Sequence, residues 1–139
     1  MSEELGTTQM LLDLLNLDGD DHARTDEDIF VGHTPSHTFG RVFGGQVLAQ
    51  SVVAATRTVE PRRAVHSLHG YFLRPGDPNQ NITFGVQRLR DGRSFSARRV
   101  HAYQNGEPIL SMITSFQEPA QGIEHHDPLP ISAPDPETL

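Results

Sequence analysis

Cysteine, lysine and tryptophan are all absent from this 139-residue chain. Without cysteine there are no disulfides, no thiolate zinc sites and no cysteine nucleophile. No apolar run approaches the roughly 20 residues that a membrane-spanning helix needs. The opening residues, Met1-Ser2-Glu3-Glu4, are acidic where an export signal is basic, so the cytoplasm is the expected compartment. Whole motif classes are missing too: G-x-S-x-G, a Walker loop, G-x-G-x-x-G and H-E-x-x-H. Gly44-Gly45-Gln46 matches the tripeptide of peptide-release factors, but three residues do not carry that chemistry. What is present amounts to one ordinary domain. It is 35% hydrophobic and 21% charged, with a mean hydropathy of -0.45, enough for a modest core. Twelve glycines and ten prolines point to turn-rich stretches outside that core.

The missing lysine leaves arginine as the only permanent cation, and its distribution is uneven. Between Gly40 and Gln104, ten arginines face only Glu60, Asp77 and Asp91; the flanks hold the other fifteen acids and just Arg24. Arginine presents a planar fork suited to phosphate, so a basic middle points to an anionic ligand. Acidic ends that merely solubilise the chain are the plainer alternative. Nucleic acid is not expected, because the chain is acidic overall and offers few stacking aromatics.

Periodicity orders the elements. Residues 7–16, with leucines at 11, 12, 14 and 15, predict a short amphipathic helix, followed by an acidic connector to residue 28. Residues 28–33 predict a strand that Pro35 ends. Gly44-Gly45 precedes a helix over 46–57 that is nearly apolar all round, and such a helix belongs in a buried position against a sheet. After Pro61 the period becomes alternating. Strands are predicted over 64–73, 81–90, 93–104 and 108–117, with tight hairpins at Asp91-Gly92 and Asn105-Gly106. The Pro-rich stretch 118–139 reads as a linker or tail. An antiparallel sheet curled around one central helix, with a short N-terminal helix, is an α+β hotdog architecture.

Few residues in this pattern can do chemistry. Gly44 and Gly45 sit where a loop becomes a helix, so their unhindered amides could face the oxyanion of an attacked ester or thioester. Equally, two glycines let the chain turn sharply into a buried helix. His66 and His69 are three apart on one strand and so are expected on opposite faces, which denies them a shared metal site. A lone strand histidine is commonly structural; an acid/base role is the alternative reading. His33 and His37 flank Pro35, which breaks helical ligand spacing, and no metal or cofactor is expected. The densest cationic signal is 88–99, with Arg88, Arg90, Arg93, Arg98 and Arg99 around one hairpin. Arg88 and Arg90 are expected to share a face, and Arg98 and Arg99 to point opposite ways.

Three runs, in order, resemble the type II acyl-CoA thioesterases (TesB-like): Arg41-Val42-Phe43-Gly44-Gly45-Gln46-Val47, then Val65 to Gly76, then Leu89 to Val100 with Gln104-Asn105-Gly106 and Ser115-Phe116-Gln117. Similarity covers about residues 7–118. The resemblance implies a hotdog fold and hydrolysis of fatty acyl-CoA to free acid and CoA, as part of fatty acid metabolism. Members of that family carry two hotdog repeats, and this sequence matches the first. The Asp, Ser/Thr and Gln that activate water there belong to the second repeat, so none is transferred. No carboxylate lies between Gly40 and Val59, where hotdog enzymes commonly place a base.

The implied organisation is 1–28 as helix and connector, 29–118 as the first hotdog repeat and 119–139 as linker. The resemblance places Gly44, Gly45 and Gln46 at the thioester and His66 on the strand beside the helix as first-named acid/base or orienting group. Arg90, Arg93, Arg98 and Arg99 become contacts for CoA phosphates, and Thr114 and Gln117 are weaker candidates. Self-association, or pairing with a second hotdog repeat, is expected. A stand-alone module that binds acyl-CoA and dimerises without turnover is the alternative.

Overall fold

The computed structural model describes residues 7–19, 26–35, 40–128, 134–135 and 137 in full, with the backbone of 2–6. Helix α1 (Ser2–Leu15) begins five residues before the predicted helix. Its leucine stripe is only partly used, since Met10, Leu11 and Leu12 are exposed and the first buried apolar residue is Leu17. The sheet contains β1 (Asp18–Gly19), β2 (Asp28–Gly32), β3 (Ala64–Phe72), β4 (Ile82–Asp91), β5 (Phe95–Gln104) and β6 (Glu107–Gln117). Its order is β1-β2-β4-β5-β6-β3, antiparallel at every pairing. The two-residue β1 is too short to leave a sequence signal.

Helix α2 (Gly44–Thr56) lies on one face of this sheet. Gln46, Val47, Gln50, Ser51, Ala54 and Ala55 form its buried stripe, over Phe84, Val86, Val100, Ala102, Met112 and Phe116. The helix is therefore covered along one stripe only; Leu48, Val52 and Val53 remain half-buried at its sides. Alternation sorts the strands accordingly. On β5, Ser96, Arg98, Val100, Ala102 and Gln104 are buried beneath the helix, and their neighbours face outward. No helix among the described residues is long and apolar enough to cross a membrane.

The two hairpins differ. Asn105 and Gly106 both have positive φ, 52° and 77°, as a two-residue type I′ turn requires. At Asp91-Gly92 the loop is one residue longer than predicted: Gly92, Arg93 and Ser94 separate β4 from β5, closed by Gly92 N–H donating to the Phe95 carbonyl at 2.8 Å.

Two bulges overturn expectations about side-chain direction. Between Val65 and Ser67 the register against β6 shifts, so His66 is an extra residue in β3. Its ring turns outward, with Nε2 2.9 Å from the Ser115 hydroxyl and an edge contact to Phe95. His69, opposite Ile113, also faces outward, so the two histidines share a face. On β4 the shift between Arg88 and Arg90 does the reverse. Arg88 pairs with inward Arg98 and Arg90 with outward Ala97, so these arginines do not share a face.

Candidate active site

Two of the recognised sequence runs meet in one cleft. It encloses about 330 Å³ and is lined by Arg41, Val42, Gly44 and Val47 from the start of α2, and by Phe72 to Gly76 and Ile109. The backbone brings them together: Val42 N–H donates to the Gly76 carbonyl at 3.0 Å, and Leu73 N–H to the Ile109 carbonyl at 2.8 Å. Buried Gln104 then pins the turn after Gly76. Its amide nitrogen donates to the carbonyls of Asp77 and Gln80, while its oxygen accepts from Asp77 N–H. Within that turn, the Asn79 amide donated to Asp77 holds the carboxyl of Asp77 below its ordinary range.

Glycine at 44 is a matter of space. A Cβ there would lie 3.0 Å from Phe72 Cζ, so the ring roofs the helix start. The N-cap is Phe43, which has no side-chain acceptor to offer. Of the first amides, Gln46 N–H is committed to the Phe43 carbonyl at 3.0 Å. The Gly44 and Gly45 amides precede the first intrahelical partner and point out of the helix end. Gln46 itself is buried, with its side-chain nitrogen donating to Thr34 Oγ1 at 2.9 Å and toward Gln50 at 3.5 Å. Gln50 in turn donates to the carbonyls of Leu14 and His33. Gln46 thus locks the helix start to the loop after β2.

Sequence reasoning overlooked the two cations of this cleft. Arg41 is exposed and carries no ion pair among the described residues. Arg74 is held at the rim by Glu107 at 3.0 Å and the Pro108 carbonyl at 2.8 Å. The signal was available, because both runs that line the cleft contain an arginine.

The remaining predicted residues lie elsewhere. His66 is six residues along β3 from Phe72, or about 20 Å of extended strand, and on the other face. This corrects the expectation that it stands beside the helix. It borders a small crevice with Ala64, Gln117 and Glu118. Thr114 is buried and donates to the Ser67 carbonyl at 3.0 Å, a tie between strands.

Among the hairpin arginines, Arg90 and Arg93 are exposed and Arg99 is half-buried on the outer face. Arg98 is only 1% exposed. Its guanidinium donates to Thr58 Oγ1, to Asp91 and to the carbonyls of Thr58, Arg90 and Ala97, which uses all five N–H groups. Arg98 therefore has no donor for a phosphate, and the expectation for it fails on burial. Ser96 and Arg98 together keep the Asp91 carboxyl below its ordinary range. Arg63, another buried arginine, donates to Ser96 Oγ and to the carbonyls of Gly92 and Arg93, bracing the same hairpin.

His33 bridges Asp18 at 2.8 Å and Asn81 at 2.9 Å, and both contacts, Asp18 first, raise its pKa. His37 lies outside the described residues. No group of three or more His, Asp or Glu among the described residues could hold a metal ion.

Known proteins share this arrangement. A family model described as acyl-CoA thioesterase N-terminal domain matches residues 33–117. Acyl-CoA thioesterase 2 of Haemophilus influenzae is 41% identical over 126 residues, covering 90% of this chain and 42% of that protein. Human acyl-coenzyme A thioesterase 8 is 43% identical over 114 residues, covering 82% and 36%. The chain thus spans about two fifths of the length of these relatives. Among solved structures, the acyl-CoA thioesterase II TesB2 of Mycobacterium marinum superposes with a TM-score of 0.73 at 44% identity, over 91% of this chain and 45% of that one. The phenylacetic acid degradation protein PaaI of Thermus thermophilus, a mutant form at 16% identity and a TM-score of 0.60, shares the fold alone.

Proposed function

This chain belongs to the acyl-CoA thioesterase N-terminal domain family, and from that premise we propose that it is one of two hotdog units that together hydrolyse acyl-CoA to free acid and CoA. The observation that carries the reading is the cleft at the start of α2, where the uncapped amide of Gly44 meets Arg41, Phe72 and Arg74. When water attacks a thioester carbonyl, negative charge collects on the carbonyl oxygen before the C–S bond breaks and CoA leaves as the thiol. The Gly44 amide stabilises that charge, aided by the positive end of the helix dipole. Arg41 supplies a further cation for the CoA moiety.

Among the described residues the cleft lining contains no carboxylate and no imidazole. The two-unit reading assigns the group that takes the proton from water to the second unit. Strand β3 is where that unit joins. It is the long open edge of the sheet, and Val65, Leu68 and Phe72 are exposed on its helix side. Two such edges related by a two-fold axis normal to the sheet run antiparallel. The partner's hairpin end then arrives beside this chain's Phe72 end. Exposed Arg90 and Arg93 of one unit thereby approach the cleft of the other, suited to CoA phosphates. His66, on the outer face, acts in this arrangement on orientation at most.

Proline at the first helical position separates the amide from the space around it. Phe43 already has the extended backbone (φ -64°, ψ 126°) that a following proline demands. Gly44→Pro removes one donor and preserves the helix, whereas Gly44→Ala keeps the donor and adds only a Cβ against Phe72. In this chain paired with a second hotdog unit, Gly44→Pro should lower acyl-CoA turnover by about 10²-fold or more, as loss of one oxyanion donor does. Gly44→Ala should cost far less. Equal effects of the two variants would overturn the oxyanion role. Full turnover by the 139-residue chain as a monomer would overturn the two-unit reading.

A further inference from the structure

The outer face of the sheet, turned away from α2, carries a second cleft. It encloses about 310 Å³ and is lined by His69 and Tyr71 of β3, Ser111 and Ile113 of β6, and Arg99 and His101 of β5. The register explains why these six converge. Residues opposite one another in antiparallel strands share a face. His69, Ile113 and Arg99 form one row across three strands, and Tyr71, Ser111 and His101 form the next. Small Ser111 between Tyr71 and His101 leaves the hollow.

The charges in this cleft are unspent. Arg62, Arg63, Arg74, Arg88 and Arg98 each face a carboxylate. Arg99 does not: among the described residues its one side-chain contact is a long 3.4 Å approach of Nη1 to the neutral Gln87 amide oxygen. Its fork is available to an incoming anion. The two imidazoles are held in place by edge contacts, His69 on Tyr71 at 4.9 Å and His101 on Tyr103 at 5.8 Å. On the far side stands Glu27, whose carboxylate lies over Gly85, the residue paired with His101. Glu27, with burial as the larger cause, raises the pKa of the Tyr103 phenol.

We propose that this cleft is a second ligand site, distinct from the thioester cleft, which takes a small anion bearing phosphate or carboxylate groups. Arg99 provides the bidentate contact, His69 and His101 add ring N–H donors, and the Tyr71 and Ser111 hydroxyls complete the set. The hollow is sized for a small molecule. Glu27 closes it on the β4 side, which disfavours an extended polyanion lying across the sheet.

Calorimetric titration of the 139-residue chain with pyrophosphate, and separately with citrate, tests this and distinguishes the two anion chemistries. One of the two should bind with one site per chain. Arg99→Gln should weaken binding by about 10-fold or more, as a charge-assisted bidentate pair implies, with Arg99→Lys in between. Arg62→Gln, outside the cleft, should leave binding unchanged, and a denaturation midpoint for each variant checks folding. Binding of neither anion, or equal loss in Arg62→Gln and Arg99→Gln, overturns the site. Neither result touches the thioester cleft, whose readout is Gly44→Pro.

Discussion

Among the described residues, Arg98 is the largest side chain that is completely buried. In sequence it is one of five arginines around a hairpin, indistinguishable from Arg93 by type. Position separates them. Arg98 lies on the inward parity of β5 and reaches Thr58, just past the end of α2, so it joins helix to hairpin. Arg93 sits in the loop, exposed. Removing the cation strands the carbonyls of Thr58, Arg90 and Ala97 and leaves Asp91 with Ser96 as its remaining partner. Breaking a buried charged network of this kind costs about 3 kcal/mol. Urea unfolding of Arg98→Leu should show a loss of that order, while Arg93→Gln should stay within about 0.5 kcal/mol of the parent. Near-equal midpoints for all three proteins would refute the structural role of Arg98.

At the scale of elements, the proposed association rests on β3. Nine residues long and paired only to β6, it leaves one edge of hydrogen-bonding groups open, with Leu68 and Phe72 exposed beside it. Natural sheets blunt such edges with charge or cover them; β3 carries neither Asp, Glu nor Arg. Leu68→Asp places a charge at its centre and should convert a dimer into a monomer of 15.4 kDa by sedimentation at micromolar concentration. A wild-type chain that is already monomeric there would refute pairing through β3. The existence of β3 and β4 was plain from alternating hydrophobicity, that of α2 from apolar residues at helical spacing, and that of β5 and β6 from the Asp91-Gly92 and Asn105-Gly106 hairpin signals. The facing of β3 and β4 was not. A bulge is one residue of slippage with no composition of its own, so parity counting put His66 and His69 on opposite faces and kept Arg90 with Arg88. The cleft was half legible for a related reason. Gly44-Gly45 announces a sharp helix entry, but only the Val42–Gly76 hydrogen bond brings the Arg74-Pro75-Gly76 turn onto it.

Across the whole molecule, the uneven charge of the sequence takes a spatial form. Ion pairs consume much of the basic middle: Arg88 with Asp28, Arg74 with Glu107, Arg62 with Glu60, and Arg98 with Asp91. What is left over divides among four places, namely Arg57, which donates to the Leu17 carbonyl and Asn16, Arg41 at the helix-start cleft, Arg99 on the outer face, and Arg90 with Arg93 at the hairpin. The hairpin pair lies at the end of the sheet farther from the start of α2, so on one chain it cannot serve that chain's own cleft. In the proposed antiparallel pairing through β3 it serves the partner's. That pairing gives the proposed CoA contacts a signature. Exposed arginine–phosphate pairs act through a screened field with a Debye length of about 10 Å at 0.1 M salt, so their contribution fades as ionic strength rises. Replacing both Arg90 and Arg93 by Gln should weaken CoA binding at low salt and flatten its salt dependence. The same double variant should leave the urea midpoint nearly unchanged, because neither side chain is buried. The double variant in one partner of a mixed dimer should impair only the other partner's cleft, leaving half the sites with parental affinity. Parental affinity at all sites, at both low and high salt, would mean that the hairpin arginines only solvate the surface and that the phosphates of CoA are held elsewhere.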